Sequence, residues 1–109
     1  MAYLTIARIA GEPSALLAGY RRTSALMDGV GRDHGLILHA GAETPDGLLI
    51  VNLWPSRDES DAAAADPRRL SALRAEAIRP DRQHKEHHEV DRYVLFDRGK
   101  AEAIPSVGR

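Results

Sequence analysis

Leu48-Leu49-Ile50-Val51-Asn52-Leu53-Trp54, followed at once by Pro55-Ser56-Arg57-Asp58-Glu59, decides the fold. Apart from Asn52, the first seven residues are apolar or β-favouring. Both faces of this strand are therefore expected to be buried, which marks an interior strand. Pro55 cannot donate to a ladder and ends it. Ser56 followed three residues later by Glu59 is a capping box, so a helix starts directly after the strand.

Upstream, Glu43-Thr44-Pro45-Asp46-Gly47 joins this strand to another over His34 to Ala42. Pro-Asp-Gly supplies a fixed φ, an Asx-type hydrogen bond and a positive-φ position, so the connection is a hairpin. Before it, Leu16, Leu17, Tyr20, Ser24 and Met27 recur at helical spacing. Pro13 suits the first turn of that helix, and Asp28-Gly29-Val30-Gly31 is expected to end it. Tyr3 to Ile9 reads as a first strand.

Downstream, a helical region runs from Ser56 to about Ile78. Asp66-Pro67 interrupts it, with Asp66 capping a new helix and Pro67 at its first position. Leu70, Leu73, Ala77 and Ile78 form the expected apolar face of this second piece, and Arg79-Pro80 stops it. Glu89 to Asp97 reads as a last strand built on Val90, Tyr93, Val94, Leu95 and Phe96. Residues 1–97 form one domain, and 98–109, without periodicity, form a loose C-terminal tail.

The order is β-α-β-β-α-β, the ferredoxin-like split motif, an α+β fold with a four-stranded antiparallel sheet. Two helices cover only one face of such a sheet. An apolar second face is too large a patch for a monomer, so a homodimer is expected, its two sheets packed into a barrel.

Composition narrows function. Fifteen Lys and Arg against sixteen Asp and Glu leave a net charge of −1, without the basic excess of a nucleic-acid binder. With no cysteine, disulfides, thiolate metal sites and a Cys nucleophile are excluded. No apolar run reaches the ~18 residues of a membrane span, and the N-terminus lacks the pattern of a secretory leader. The expectation is a cytoplasmic protein with no nucleic-acid or membrane partner. No Gly-rich phosphate loop, zinc spacing or nucleophile elbow occurs.

Val51-Asn52-Leu53-Trp54-Pro55-Ser56-Arg57-Asp58 resembles the strand-to-helix junction of the antibiotic biosynthesis monooxygenase-like proteins, within the dimeric α+β barrel superfamily. There an apolar strand ends in Trp, one residue precedes Ser, and an amphipathic helix follows. The resemblance covers roughly residues 3 to 97. It implies a ligand between sheet and helices. The activities it implies include cofactor-independent quinone-forming oxygenation, haem degradation, isomerisation and cyclisation. Haem degradation would need an Asn on the first strand and a Trp and a His on the second helix. Neither Leu4 to Ile9 nor the region after Ser56 supplies them.

Five histidines stand out, three of them in Gln83-His84-Lys85-Glu86-His87-His88-Glu89. On a helix, His84, His87 and His88 would share a face and could bind a metal. On a strand, only His84 and His88 would. The readings are a metal site, a solvated polar lead-in to the last strand, or His87 or His88 turned into a pocket as acid or base. His39 lies mid-strand among apolar neighbours. It is either a satisfied His, buried or at a dimer seam, or a ligand-contacting base in a pocket. Asn52 shares a strand face with Ile50 and Trp54, and its amide needs a neighbour or a substrate oxygen. Tyr20 can bring its hydroxyl to a cavity, and Trp54 packs with its indole N–H satisfied. Arg8 either pairs with Glu89 or Asp91 or meets an anionic ligand.

Two functions follow. One is an enzyme acting on a small hydrophobic or aromatic, polyketide-like molecule with no cofactor, His39 serving as base. The other is a non-catalytic dimeric module that binds a small ligand.

Overall fold

The computed structural model describes residues 1–76 and 83–96. Its elements are β1 (Ala2–Ala10), α1 (Pro13–Asp33), β2 (Leu38–Thr44), β3 (Gly47–Trp54), α2 (Arg57–Ala64), α3 (Pro67–Ala75) and β4 (Gln83–Val90). The four strands form one antiparallel sheet in the order β2-β3-β1-β4. This is the expected ferredoxin-like order, with the second helical region in two pieces.

The β3–α2 junction forms as the sequence dictates. Ser56 is extended at the N-cap and accepts from the Glu59 N–H at 3.2 Å, while Asp58 and Glu59 place negative charge on the first turn. Asp66 caps α3 in turn, accepting from the Arg68 N–H at 2.9 Å, with Pro67 first in the helix. A two-residue turn, Pro45-Asp46, joins β2 to β3. Gly47 after it lies against β1 so closely that a Cβ there would collide with the Ile9 carbonyl oxygen.

The core sits between sheet and helices, where Tyr3, Val30, Trp54 and Ala63 pack together with Leu36 against them. Alternation places Tyr3, Thr5, Ala7 and Ile9 toward the helices with Leu48, Ile50, Asn52 and Trp54. Arg22 fastens α3 to α1, its Nη2 2.7 Å and its Nε 3.1 Å from the Glu76 carboxylate. Arg68 adds a 2.9 Å bond to Asp33. The opposite face carries Leu4, Ile6, Leu49 and Val51, all half-buried, and Leu38, 41% exposed, with no helix over them among the described residues.

Four expectations need correction. Helix α1 does not stop at Asp28 to Gly31. Val30, 3% exposed, belongs to the core, and the helix runs on to close it. The terminator is Gly35, at φ 74°: the Gly35 N–H reaches the Arg32 carbonyl and the Leu36 N–H the Gly31 carbonyl, a Schellman closure. Consequently β2 starts at Leu38, and His34 is the cap of α1 rather than a strand residue.

The last strand is the histidine-rich segment, not Glu89 to Asp97. It aligns Gln83–Val90 with Ile9–Ala2, and at Val90 the ladder runs out because β1 begins at Ala2. An edge strand is held by backbone hydrogen bonds and needs no apolar side chains. Tyr93, Val94, Leu95 and Phe96 lie beyond the sheet, and Phe96 is 87% exposed. Leu70 is 45% exposed rather than facing the core. Ala77, Ile78, the Arg79-Pro80 stop and the proposed tail over 98–109 lie outside the described residues. Among the described residues, no helix is long and apolar enough to cross a membrane.

Candidate functional site

Sheet register builds the site. His39 on β2 stands opposite Asn52 on β3, Asn52 opposite Thr5 on β1, and Thr5 opposite His87 on β4. One polar row thus crosses the whole sheet on its helix-covered face. The next row on that face is Gly41, Ile50, Ala7 and Lys85. Above these rows, α1, α2 and α3 enclose a cavity of about 180 Å³ with mostly apolar walls, among them Ile50, Leu48, Met27, Leu73 and Trp54. About 150 Å³ of apolar space takes benzene, so this void holds one or two rings of an aromatic molecule, and a further ring extends through its open mouth.

At its β2 side the polar groups are linked. The Tyr20 hydroxyl lies 2.5 Å from Nε2 of His39, and Nδ1 of His39 lies 2.6 Å from Oδ1 of Asn52. The two rings stack, with centroids 5.7 Å apart. Asn52 presents its carbonyl oxygen, so Nδ1 carries the proton and donates, leaving Nε2 to accept from the tyrosine. Burial, and after it the charge of Asp28, push the Tyr20 phenol above its ordinary value. It therefore remains protonated at neutral pH and serves as donor. Gly41 makes the approach possible, since a Cβ there would lie 2.5 Å from the phenol oxygen.

His39 is not buried mid-strand as its neighbours implied. It sits second in β2, an edge strand, and is exposed at the cavity mouth. Trp54 is 6% exposed, packed in the core, and its indole N–H donates to Thr5 Oγ1 at 3.4 Å. It also lines the cavity. His87 lies on the cavity face of β4, its ring 5.8 Å from that of Tyr3.

Arg8 and His88 require correction. Both point to the uncovered face, away from the cavity. Arg8 is nearest Glu86, at 3.9 Å, rather than Glu89 or Asp91, and His88 lies 3.7 Å from the same carboxylate. His84 shares their face while His87 takes the other, so a strand separates what a helix would have gathered. Among the described residues, no three His, Asp or Glu side chains are grouped to hold a metal.

Two cavity residues escaped the sequence reading. Arg69 on α3 and Lys85 on β4 look like surface charges in the chain, yet both line the cavity. Burial lowers the Arg69 guanidinium, and burial followed by the charge of Arg69 lowers the Lys85 ammonium. The signal available was the alternation of β4, legible only once the strand is placed correctly.

No family model and no curated protein matches the sequence. Solved structures do. A dimeric ferredoxin-like protein of unknown function from Jannaschia sp. CCS1 is 14% identical with a TM-score of 0.67, the match covering 83% of this chain and 100% of that one. A monooxygenase from the gene ActVA-Orf6 of Streptomyces coelicolor, solved in complex with nanaomycin D, is 12% identical with a TM-score of 0.64 over 88% and 92%. SnoaB, a cofactor-independent oxygenase from Streptomyces nogalater, is 20% identical with a TM-score of 0.55 over 88% and 96%. Identities this low carry the fold alone, and the fold is the one the junction motif implied.

Proposed function

We propose that this chain is a cofactor-independent oxygenase acting on a small aromatic, polyketide-like molecule held between sheet and helices. The observation that carries the reading is the Tyr20–His39–Asn52 chain at the mouth of an apolar cavity. A nanaomycin-binding monooxygenase and a cofactor-independent oxygenase of the same fold support the class of chemistry.

The roles follow from the atoms. Nε2 of His39 carries the basic lone pair of the Tyr20–His39–Asn52 chain; a bound substrate takes the place of the Tyr20 hydroxyl against it and gives up a proton from an acidic C–H or O–H. The Asn52 carbonyl, already bonded to Nδ1–H, fixes the tautomer and favours the imidazolium that forms. Once Nε2 is protonated it no longer accepts from Tyr20, whose hydroxyl is released to donate to the new oxyanion. The resulting electron-rich anion reacts with dioxygen. A ring methylene plus O2 gives a ring carbonyl plus water, so one oxygen atom enters the product and no external reductant is consumed. The apolar walls exclude water from the anion while it reacts.

The working form is a homodimer. Leu4, Ile6, Leu38, Leu49 and Val51 form the uncovered apolar face, and Tyr93 to Phe96 add exposed apolar surface beyond β4. The Jannaschia neighbour is dimeric. Pairing two such faces removes both from water.

The test is oxygen consumption and quinone absorbance with 1,8-dihydroxyanthrone as probe. The expected outcome is acceleration over the uncatalysed oxidation, with His39→Ala reducing it on the order of 10²-fold. Binding of the anthrone without any acceleration would overturn the reading and leave a non-catalytic binding module.

A further inference from the structure

The polar groups of the cavity gather at two ends. His39, Tyr20 and Asn52 occupy the β2 side, while Arg69 and Lys85 occupy the β4 side. Strands β2 and β4 are the two edges of the sheet. Three strand spacings separate them, about 14 Å between backbones, and side chains reaching inward shorten the gap. Between the ends the walls are mostly apolar, with Thr5 the polar residue of the sheet floor.

Arg69 is half-buried, and its Nη1 donates to the Ala64 carbonyl at 2.9 Å. Lys85, on the edge strand, stands on the cavity face between Gln83 and His87. Among the described residues, neither has a carboxylate as ion-pair partner, although Arg8, Arg22, Arg57 and Arg68 do. The acid that lines the cavity, Asp28, lies on α1 by Tyr20, at the far end. Two neighbouring cations facing partly desolvated space repel each other, and an anion placed between them removes that cost.

We propose that Arg69 and Lys85 form an anion-binding end of the cavity, and that its ligand is a hydroxyaromatic carboxylate. The acid group sits at the β4 side and the reactive hydroxyl faces His39. The guanidinium offers paired N–H donors matched to the two carboxylate oxygens, and the ammonium supplies a point charge. This orients the molecule, because a planar acid with oxygen functions at opposite ends fits in one direction only. The assignment rests on the reading of the cavity as a small-aromatic site.

The test uses 6-hydroxy-2-naphthoate and its neutral carboxamide, which share shape and hydroxyl and differ in charge. Binding is followed by the intrinsic fluorescence of the naphthol, with wild type, Lys85→Gln, Arg69→Gln and His39→Ala. The expected result is that wild type binds the acid at least tenfold more tightly than the amide. Lys85→Gln, at an exposed position on the cavity face of an edge strand, should remove most of that preference and weaken amide binding far less than acid binding. Rising salt should weaken the acid selectively. Equal binding of acid and amide by wild type would overturn the anion-binding end while leaving the aromatic cavity standing. So would a Lys85→Gln variant that keeps the preference in full. Failure of wild type to bind either compound would overturn both readings. Arg69→Gln also loses the bond to Ala64, so its thermal melting is measured beside its binding, and Lys85→Gln decides.

Discussion

Gly41 on β2 and Tyr20 on α1 are fitted to each other: a Cβ on the glycine would stand 2.5 Å from both Cζ and the hydroxyl oxygen of the tyrosine. The Tyr20–His39 bond therefore depends on a residue that makes no hydrogen bond within it. Gly41→Ala is expected to push the phenol aside and break that bond without touching either partner's chemistry. Activity on the anthrone probe should fall toward that of Tyr20→Phe, while the far-ultraviolet circular dichroism stays unchanged. Full activity in Gly41→Ala would show that the tyrosine contact is dispensable.

Gly29 lies inside α1, and an added Cβ there meets nothing within 4 Å. Glycine in a helix interior costs about 0.5–1 kcal/mol relative to alanine. Gly29→Ala is therefore expected to raise stability by about that amount in urea denaturation. A loss would mean that helix end needs glycine freedom the geometry does not show. Gly35→Ala, at φ 74°, is expected to move stability in the opposite direction.

Asp66 is expected to set part of the acid limit of the fold. The Arg68 side chain first, then His34 and the Arg68 N–H, hold its carboxyl well below the usual carboxylate range. A depressed folded-state value means the ionised form stabilises the fold. That contribution is complete above the unfolded value of ~3.9 and is lost as pH falls toward the folded one. Asp66→Asn keeps a cap acceptor but no charge. It should melt lower than wild type at pH 7, and the gap should shrink steadily as pH is taken below about 4. A gap that stays constant into strong acid would show that the charge contributes nothing.

Ile6 and Val51 face each other in the ladder on the uncovered side of the sheet. Val51→Glu places a charge at the centre of that face without entering the core. Wild type is expected to sediment at twice the 11.9 kDa of one chain, and Val51→Glu at a single chain mass. A wild type that sediments as a monomer at micromolar concentration would remove the dimer from the proposal.

Much of this architecture was legible because local chemistry and global fold agree. Ser56 and Glu59, Asp66 and Pro67, and the turn at Pro45-Asp46 each fix a boundary with their own hydrogen bonds or ring geometry. Tyr20, His39 and Asn52 were each conspicuous as polar groups on apolar elements, and the fold brings the three together. Strand β4 was misplaced because apolar content measures burial, whereas an edge strand is chosen by the backbone donors of its neighbour. The end of α1 was misplaced because Gly29, Gly31 and Gly35 look alike in the chain, and only the last has positive φ. Arg69 and Lys85 were invisible for a related reason: a charged residue declares no direction until the element carrying it has a face.

The polar row from His39 to His87 begins on one edge strand and ends on the other. Each of these strands has a neighbour on one side only, so they are the strands that open most readily. A molecule that touches both ends of the cavity acts as a cross-brace between the two outer staves of the sheet. Part of its binding energy then appears as slower amide exchange at both margins, felt at Leu38–Thr44 and Gln83–Val90 alike. On the proposed reading, occupancy of the cavity and stiffness of the sheet rim are one quantity measured in two places.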